Sequence, residues 1–211
     1  MSAEAGTPVA SLRAVVIGGS AGALNVLREI LRALERPARA PVVVVLHVPP
    51  RAPDTLAELL SRECALAVKQ AEDKEPLEAG TVYLAPPGYH LLIESHGAFA
   101  LSIDPPVHFS RPSIDVLFES AADAYGRQLL AILLSGASSD GAAGLQEVHA
   151  AGGLTAVQAP GSAESNTMPA AALSLFEPTF IWTPEDLRRE LPRMLRDSAM
   201  VEAATSCGDA S

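Results

Sequence analysis

The sequence predicts an α/β fold: a three-layer, doubly wound, mostly parallel sheet with a β-hairpin insertion. Short strand-like apolar runs alternate with helix-like segments from Leu12 to Leu195, the rhythm of successive βα units. Two runs, Pro41–His47 and Leu129–Leu134, are apolar almost throughout, which suits parallel strands buried on both faces. The 211 residues are 48% hydrophobic and 19% charged, enough apolar material for one domain with a full core.

Taken in order, Leu12–Ile17 reads as a strand, and Ala21–Leu34, apolar at helical spacing, as the helix after it. Pro41–His47 is the second strand, stopped sharply by Val48-Pro49-Pro50. Asp54–Arg62 reads as a short helix and Ala65–Lys69 as a further strand. The rhythm then breaks. Thr81–Ala85, Tyr89–Glu94 and Ala98–Ile103 are short strands separated by the turn signals Pro86-Pro87-Gly88 and Ser95-His96-Gly97, which predicts a local antiparallel hairpin. Arg111–Gly126 reads as a long helix with Pro112 near its first turn and an apolar face of Ile114, Leu117, Phe118 and Ala121. Leu129–Leu134, a helix over Gly141–Ala151, then Leu154–Val157, Ala170–Leu175, Thr179–Trp182 and Pro184–Leu195 continue the α/β pattern. The expected organisation is an N-terminal tail over residues 1–11, a folded domain over 12–196 and a small, polar, flexible tail over 197–211.

Composition excludes several roles. A formal net charge of −10 repels phosphate backbones, so no nucleic-acid partner is expected. No apolar run approaches the roughly 18 residues that span a bilayer, so no membrane insertion is expected, and Met1–Pro8 lacks the basic and apolar regions of a secretory signal. Cys64 and Cys207 are far apart, which suits reduced thiols in a cytoplasm. There is no phosphate-binding G-x-x-x-x-G-K-[ST], no G-x-G-x-x-G and no Cys/His cluster, so neither a cofactor nor a metal is expected.

One turn carries chemistry. Val15-Val16-Ile17-Gly18-Gly19-Ser20-Ala21-Gly22 ends an apolar run in small residues around a serine, the G-x-S-x-G pattern of a nucleophile elbow. The glycines allow a tight turn, and the next helix aims its N-terminal amides at the same point. A plain glycine-rich turn or a phosphate cradle would read the same way. A serine hydroxyl needs a base, and the base needs an orienting partner. Of the five histidines only His47 ends a buried strand; His90 and His96 lie in the hairpin region, His108 in the loop before Arg111, and His149 well along a helix. Asp140 follows the Leu129–Leu134 strand. Ser20, His47 and Asp140 therefore fall at strand C-terminal ends, where open α/β sheets bind ligands. Each has a plainer reading: His47 as a solvated imidazole, Asp140 as the N-cap of the helix that follows it. The chain order Ser, His, Asp departs from that of the α/β-hydrolases, which argues against that fold and not against a triad.

Several segments together resemble a known family. Ile17-Gly18-Gly19-Ser20-Ala21-Gly22, Leu46-His47-Val48-Pro49, Tyr83-Leu84-Ala85-Pro86, Arg111-Pro112-Ser113-Ile114-Asp115-Val116-Leu117-Phe118 and Leu134–Gly144 resemble the chemotaxis protein-glutamate methylesterases in their CheB-type catalytic domain, as do Ala151-Gly152-Gly153 and the stretch Gln158–Ala172 with Met168-Pro169. The resemblance runs in order over about Leu12–Leu195. It implies hydrolysis of glutamate γ-methyl esters on the cytoplasmic helices of methylated chemoreceptors, release of methanol, and deamidation of certain receptor glutamines. It further implies Ser20 as nucleophile, His47 as general base and acid, Asp140 as orienting carboxylate, and the Ala21 amide as part of an oxyanion hole.

The chain departs from that family at Ala21, where a threonine is usual, and at Ala137, where a methionine is usual, which alters the lining of the site. With Leu12 already in the first catalytic strand, no room is expected for an attached receiver domain, and regulation would then fall to a separate protein in trans. Arg111, near the strand-end edge, is a candidate for lining the substrate cleft; packing at the helix start is its plainer role. Two further readings stand beside the hydrolase: a catalytically impaired module that binds receptors or signalling proteins, and an esterase acting on another substrate.

Overall fold

The computed structural model describes residues 11–47 and 56–196. The expected tails over 1–10 and 197–211, the strand stop at Val48-Pro49-Pro50 and the first residues of the 54–62 helix lie outside them.

The strands are β1 (Ala14–Gly19), β2 (Val42–Leu46), β3 (Ala67–Gln70), β4 (Thr81–Leu84), β5 (His90–Ile93), β6 (Phe99–Ser102), β7 (Leu129–Leu133), β8 (Leu154–Gln158) and β9 (Phe180–Trp182). The helices are α1 (Ala23–Ala33), α2 (Leu56–Ser61), α3 (Ile114–Tyr125), α4 (Ala142–Ala150), α5 (Thr167–Leu175) and α6 (Pro184–Arg196). Seven strands form one sheet in the order β3-β4-β2-β1-β7-β8-β9, every pairing parallel, while β5 and β6 form a separate antiparallel pair.

The central strands are apolar on both faces because both faces are covered. Val15, Ile17, Val42, Val44, Leu130 and Ile132 belong to one core with Leu27, Ile30 and Leu31 of α1 and Leu187 and Leu191 of α6. The alternate residues Val16, Val43, Val45, Ala131 and Leu133 belong to a second core with Leu117 and Phe118 of α3, Leu145 of α4 and Met168 of α5. Strand residues point alternately to opposite sides, so only a continuous apolar run can fill two cores at once. Full burial of each Leu or Ile is worth about 1.5–3 kcal/mol.

One expectation is corrected. Thr81–Ala85, which its turn neighbours assign to the hairpin region, is over Thr81–Leu84 a parallel strand of the main sheet, pairing with β2 and β3. All four of its residues are buried, and it fills the place between β2 and β3. The hairpin is β5 with β6 alone. It packs Leu91, Ile93 and Phe99 into the second core, with Phe99 edge-on to Tyr83 at 4.9 Å.

The chain reverses its winding at β1, which has β2 on one side and β7 on the other. The loops leaving β1, β2 and β7 therefore open together at one edge, the crevice position of such sheets.

Candidate active site

Ser20 follows β1, His47 follows β2 and Asp140 lies in the loop after β7. Strand pairing brings the first two side by side: Gly19 is in register with Leu46, and the His47 N–H donates to the Gly19 carbonyl at 3.0 Å. The Ser20 N–H donates to the Ser135 carbonyl at 2.9 Å, which ties the β1 turn to the β7 loop.

The packing of this turn leaves no room for a Cβ at Gly18, Gly19 or Gly22. A side chain on Gly18 would place Cβ 2.2 Å from Ile114 Cγ2, so β1 admits the first residue of α3 only because position 18 has none. Gly18 thus serves the approach of α3, while the turn itself falls to Gly22, with φ +80. A Cβ on Gly22 would sit 2.5 Å from Glu164 Cβ.

His47 and Asp140 meet directly. His47 Nε2 lies 2.9 Å from Asp140 Oδ2, with the imidazole partly exposed and the carboxylate fully buried. The ring nitrogen is within reach of the carboxylate, but its N–H is not aligned with Oδ2 as a hydrogen bond requires. With Nε2 turned to Asp140, Nδ1 is the ring nitrogen left for another partner. No hydrogen bond joins the Ser20 hydroxyl to His47 among the described residues.

Asp140 does not cap the helix that follows it. Its Oδ1 accepts the Ser113 hydroxyl at 2.8 Å and the Asp115 N–H at 3.1 Å, and its Oδ2 accepts the Ile114 N–H at 2.9 Å. It therefore caps α3, whose N-terminus points at it. Burial pushes its carboxyl up, but His47, the two amides and the Ser113 hydroxyl outweigh that and hold it below the usual carboxylate value. Asp115 does the converse. Its Oδ1 accepts the N–H groups of Gly141 at 2.9 Å and Gly144 at 2.7 Å, capping α4, and its Oδ2 lies 3.2 Å from His108 Nε2. Burial raises the Asp115 carboxyl, the Gly144 amide lowers it, the Asp140 charge raises it and His108 lowers it; the net direction is up.

The remaining expected residues fall around this centre. Ala21 is exposed next to Ser20, and Ala137 is exposed in the β7–α4 loop. Arg111 lines a cleft of about 500 Å³ together with Leu46, His47, Ala85, Pro87 and Pro112. Its guanidinium is turned to backbone, donating to the carbonyls of Ile103 at 2.8 Å and Asp104 at 3.1 Å.

Four supports went unread in the sequence. Ser113, Asp115 and Ser135 stand inside recognisable segments without an evident task, and His90 gave no signal. His90, buried, accepts the Ser113 N–H at Nδ1 (3.2 Å) and faces the Pro105 carbonyl with Nε2 (3.2 Å), so Nε2 carries the proton. Ser135 Oγ lies 2.7 Å from the Ala21 carbonyl and accepts the Ser165 N–H at 2.9 Å, while its own N–H donates to Gln158 Oε1 at 2.9 Å. Ser113 stands at the N-cap of α3 without capping it; its hydroxyl donates to Asp140 on another segment, a partner invisible along the chain.

The family model described as CheB methylesterase matches residues 15–191. The chain belongs to the CheB methylesterase family. A Leptospira interrogans protein, provisionally named protein-glutamate methylesterase/protein-glutamine glutaminase, is 42% identical over 174 residues, 82% of this chain and 90% of that protein. The protein-glutamate methylesterase/protein-glutamine glutaminase of Symbiobacterium thermophilum is 37% identical, over 77% of this chain and 45% of that protein. A Burkholderia lata relative of the same name is 40% identical, over 79% of this chain and 47% of its own length. The chain thus spans most of the Leptospira relative and about half the length of the other two. The crystal structure of the Thermotoga maritima CheB methylesterase catalytic domain superposes with a TM-score of 0.83 at 30% identity, covering 87% of this chain and 99% of that one. The CheB-family fold is thus shared across nearly the whole described domain.

Proposed function

We propose that this chain is a serine hydrolase that removes the γ-methyl ester from glutamate side chains on the cytoplasmic helices of chemoreceptors, releasing methanol, and that it also deamidates glutamines there. The observation that carries this reading is the 2.9 Å pairing of His47 with buried Asp140, one strand away from Ser20. It is supported by membership of the family and by the shared name of the relatives.

In this reading Ser20 Oγ attacks the ester carbonyl while His47 takes the hydroxyl proton, giving a tetrahedral oxyanion and an imidazolium paired with Asp140. Among the described residues none accepts the Ala21 N–H, which leaves it to hold the oxyanion. Collapse expels methanol, which leaves with the proton from His47. Water, deprotonated by His47, then attacks the acyl-serine, and the free glutamate carboxylate departs as Ser20 regains its proton. An amide substrate follows the same path with ammonia as the leaving group. The reading places the reaction in the cytoplasm, with the receptor helices it acts on; no described helix is long and apolar enough to cross a membrane. Ser20→Ala tests the reading: methanol release from γ-methylated helix should vanish, and turnover at the unsubstituted rate would overturn it.

A second reading has one observation in its favour, the missing hydrogen bond between Ser20 and His47. A binding module on the same scaffold would bind methylated helix yet leave Ser20 unlabelled by an active-site phosphonate.

A further inference from the structure

Phe109 is the most exposed large apolar side chain among the described residues, at 104% of the reference exposure, and it lines the cleft that contains His47. Its backbone is held in a tight turn. Val107 and Ser110 close a two-residue turn through Ser110 N–H to Val107 carbonyl (2.8 Å) and Val107 N–H to Ser110 carbonyl (3.2 Å). The two central residues, His108 and Phe109, stand at φ +48 and +62, the left-handed conformation that such a turn demands and that Asn and Gly ordinarily supply. A residue with a Cβ is disfavoured there, twice over.

The strained turn is held by contacts from below. His108 Nε2 is 3.2 Å from Asp115 Oδ2, and Asp115 is itself anchored on the N-terminal amides of α4. Arg111 clamps the base of the loop through the Ile103 and Asp104 carbonyls. The same carboxylate that caps the helix after Asp140 thus pins the turn that displays Phe109. Burial in the free chain gains nothing from this arrangement. A rigid aromatic side chain fixed at the mouth of a reaction cleft gains its apolar contact only when something docks.

We infer that Phe109 is a specificity residue, contacting an apolar side chain one helical turn from the esterified glutamate on the substrate helix. The inference rests on the methyl-ester reading given above. Side chains three or four positions apart share one helix face, so a helix that lowers its ester toward His47 presents the next such side chain further along the same cleft.

The test uses the full chain and a fluorescein-labelled helical peptide carrying one glutamate γ-methyl ester and a leucine four positions on. Fluorescence anisotropy should show Phe109→Ala and Phe109→Gly weakening binding about tenfold, the scale set by burying much of an aromatic ring. Replacing the peptide leucine by serine should give the same loss, with no further loss when combined with Phe109→Ala. The melting temperature of Phe109→Gly should not fall, because glycine adopts φ +62 without strain; a merely structural Phe109 would lower it. Hydrolysis of free N-acetylglutamate γ-methyl ester, which has no residue to reach Phe109, should fall much less in both variants than hydrolysis of the peptide ester. No binding by the unsubstituted chain, unaltered affinity in both variants, or equal losses on peptide and free ester would overturn the inference. A chain that binds through Phe109 but releases no methanol keeps the inference and removes the hydrolase reading. One that hydrolyses the ester indifferently to Phe109 does the reverse.

Discussion

Asp115 and Asp140 exchange helix caps: Asp140 accepts the first amides of α3, the helix that carries Asp115, and Asp115 accepts the Gly141 and Gly144 amides of α4, the helix that follows Asp140. Each buried carboxylate is thus fixed by the backbone of the other's segment. The orientation of Asp140 toward His47 is secured from both sides by this exchange.

Asp115→Ala should therefore act at a distance. Loss of the α4 cap costs about 1–2 kcal/mol of stability, read as a lower urea midpoint. Because the Gly141 turn next to Asp140 loosens, kcat should fall while KM stays near its original value. Unchanged kcat in a folded variant would remove Asp115 from the support of Asp140.

The two carboxylates predict opposite limbs of a pH–stability curve. The folded-state value of Asp140 lies below the ordinary one, so its contribution is present above about pH 3.9 and is lost as pH falls through the folded value. Asp115 is raised, so its contribution is present below about pH 3.9 and is lost as pH rises through its folded value. Urea unfolding across this range should show a shallower acid decline in Asp140→Asn and a smaller loss on the rising side in Asp115→Asn. Superimposable curves for all three proteins would contradict the assignment.

Gly18→Ala should disturb both fold and site. The new methyl would meet Ile114 at 2.2 Å, and overpacking of this kind costs about 1–3 kcal/mol. Ile114→Ala in the same chain should recover part of that loss, giving a double-mutant coupling that independent sites would lack. Additive losses would place the strain elsewhere.

Ser20→Ala should lower turnover of a γ-methyl ester by at least about 10³-fold, the scale for removing a nucleophile from a catalytic triad. Its melting temperature should barely change, since no described residue depends on the hydroxyl. Covalent labelling by a phosphonate should vanish together with activity; labelling that persists would identify another nucleophile.

The sequence alone was enough for most strands of the sheet and for the edge at which Ser20, His47 and Asp140 gather. Runs such as Val42–Leu46 are apolar throughout because two cores claim alternate residues, and that demand is written locally, residue by residue. The elbow at Ser20 and the strand end at His47 are local for the same reason. The partners of Asp140 are set by the packing of distant segments. Along the chain it looks like the cap of its own helix; in space it caps α3, 26 residues away from Ile114, and reaches His47 across the sheet. Thr81–Leu84 likewise joined the main sheet and not the hairpin, because the place between β2 and β3 was open to it. Periodicity and turn chemistry report on neighbours within a few residues. Hydrogen bonds between loops of different strands depend on the register and crossovers of the whole sheet, and that is where the roles of His90, His108, Ser113 and Asp115 reside.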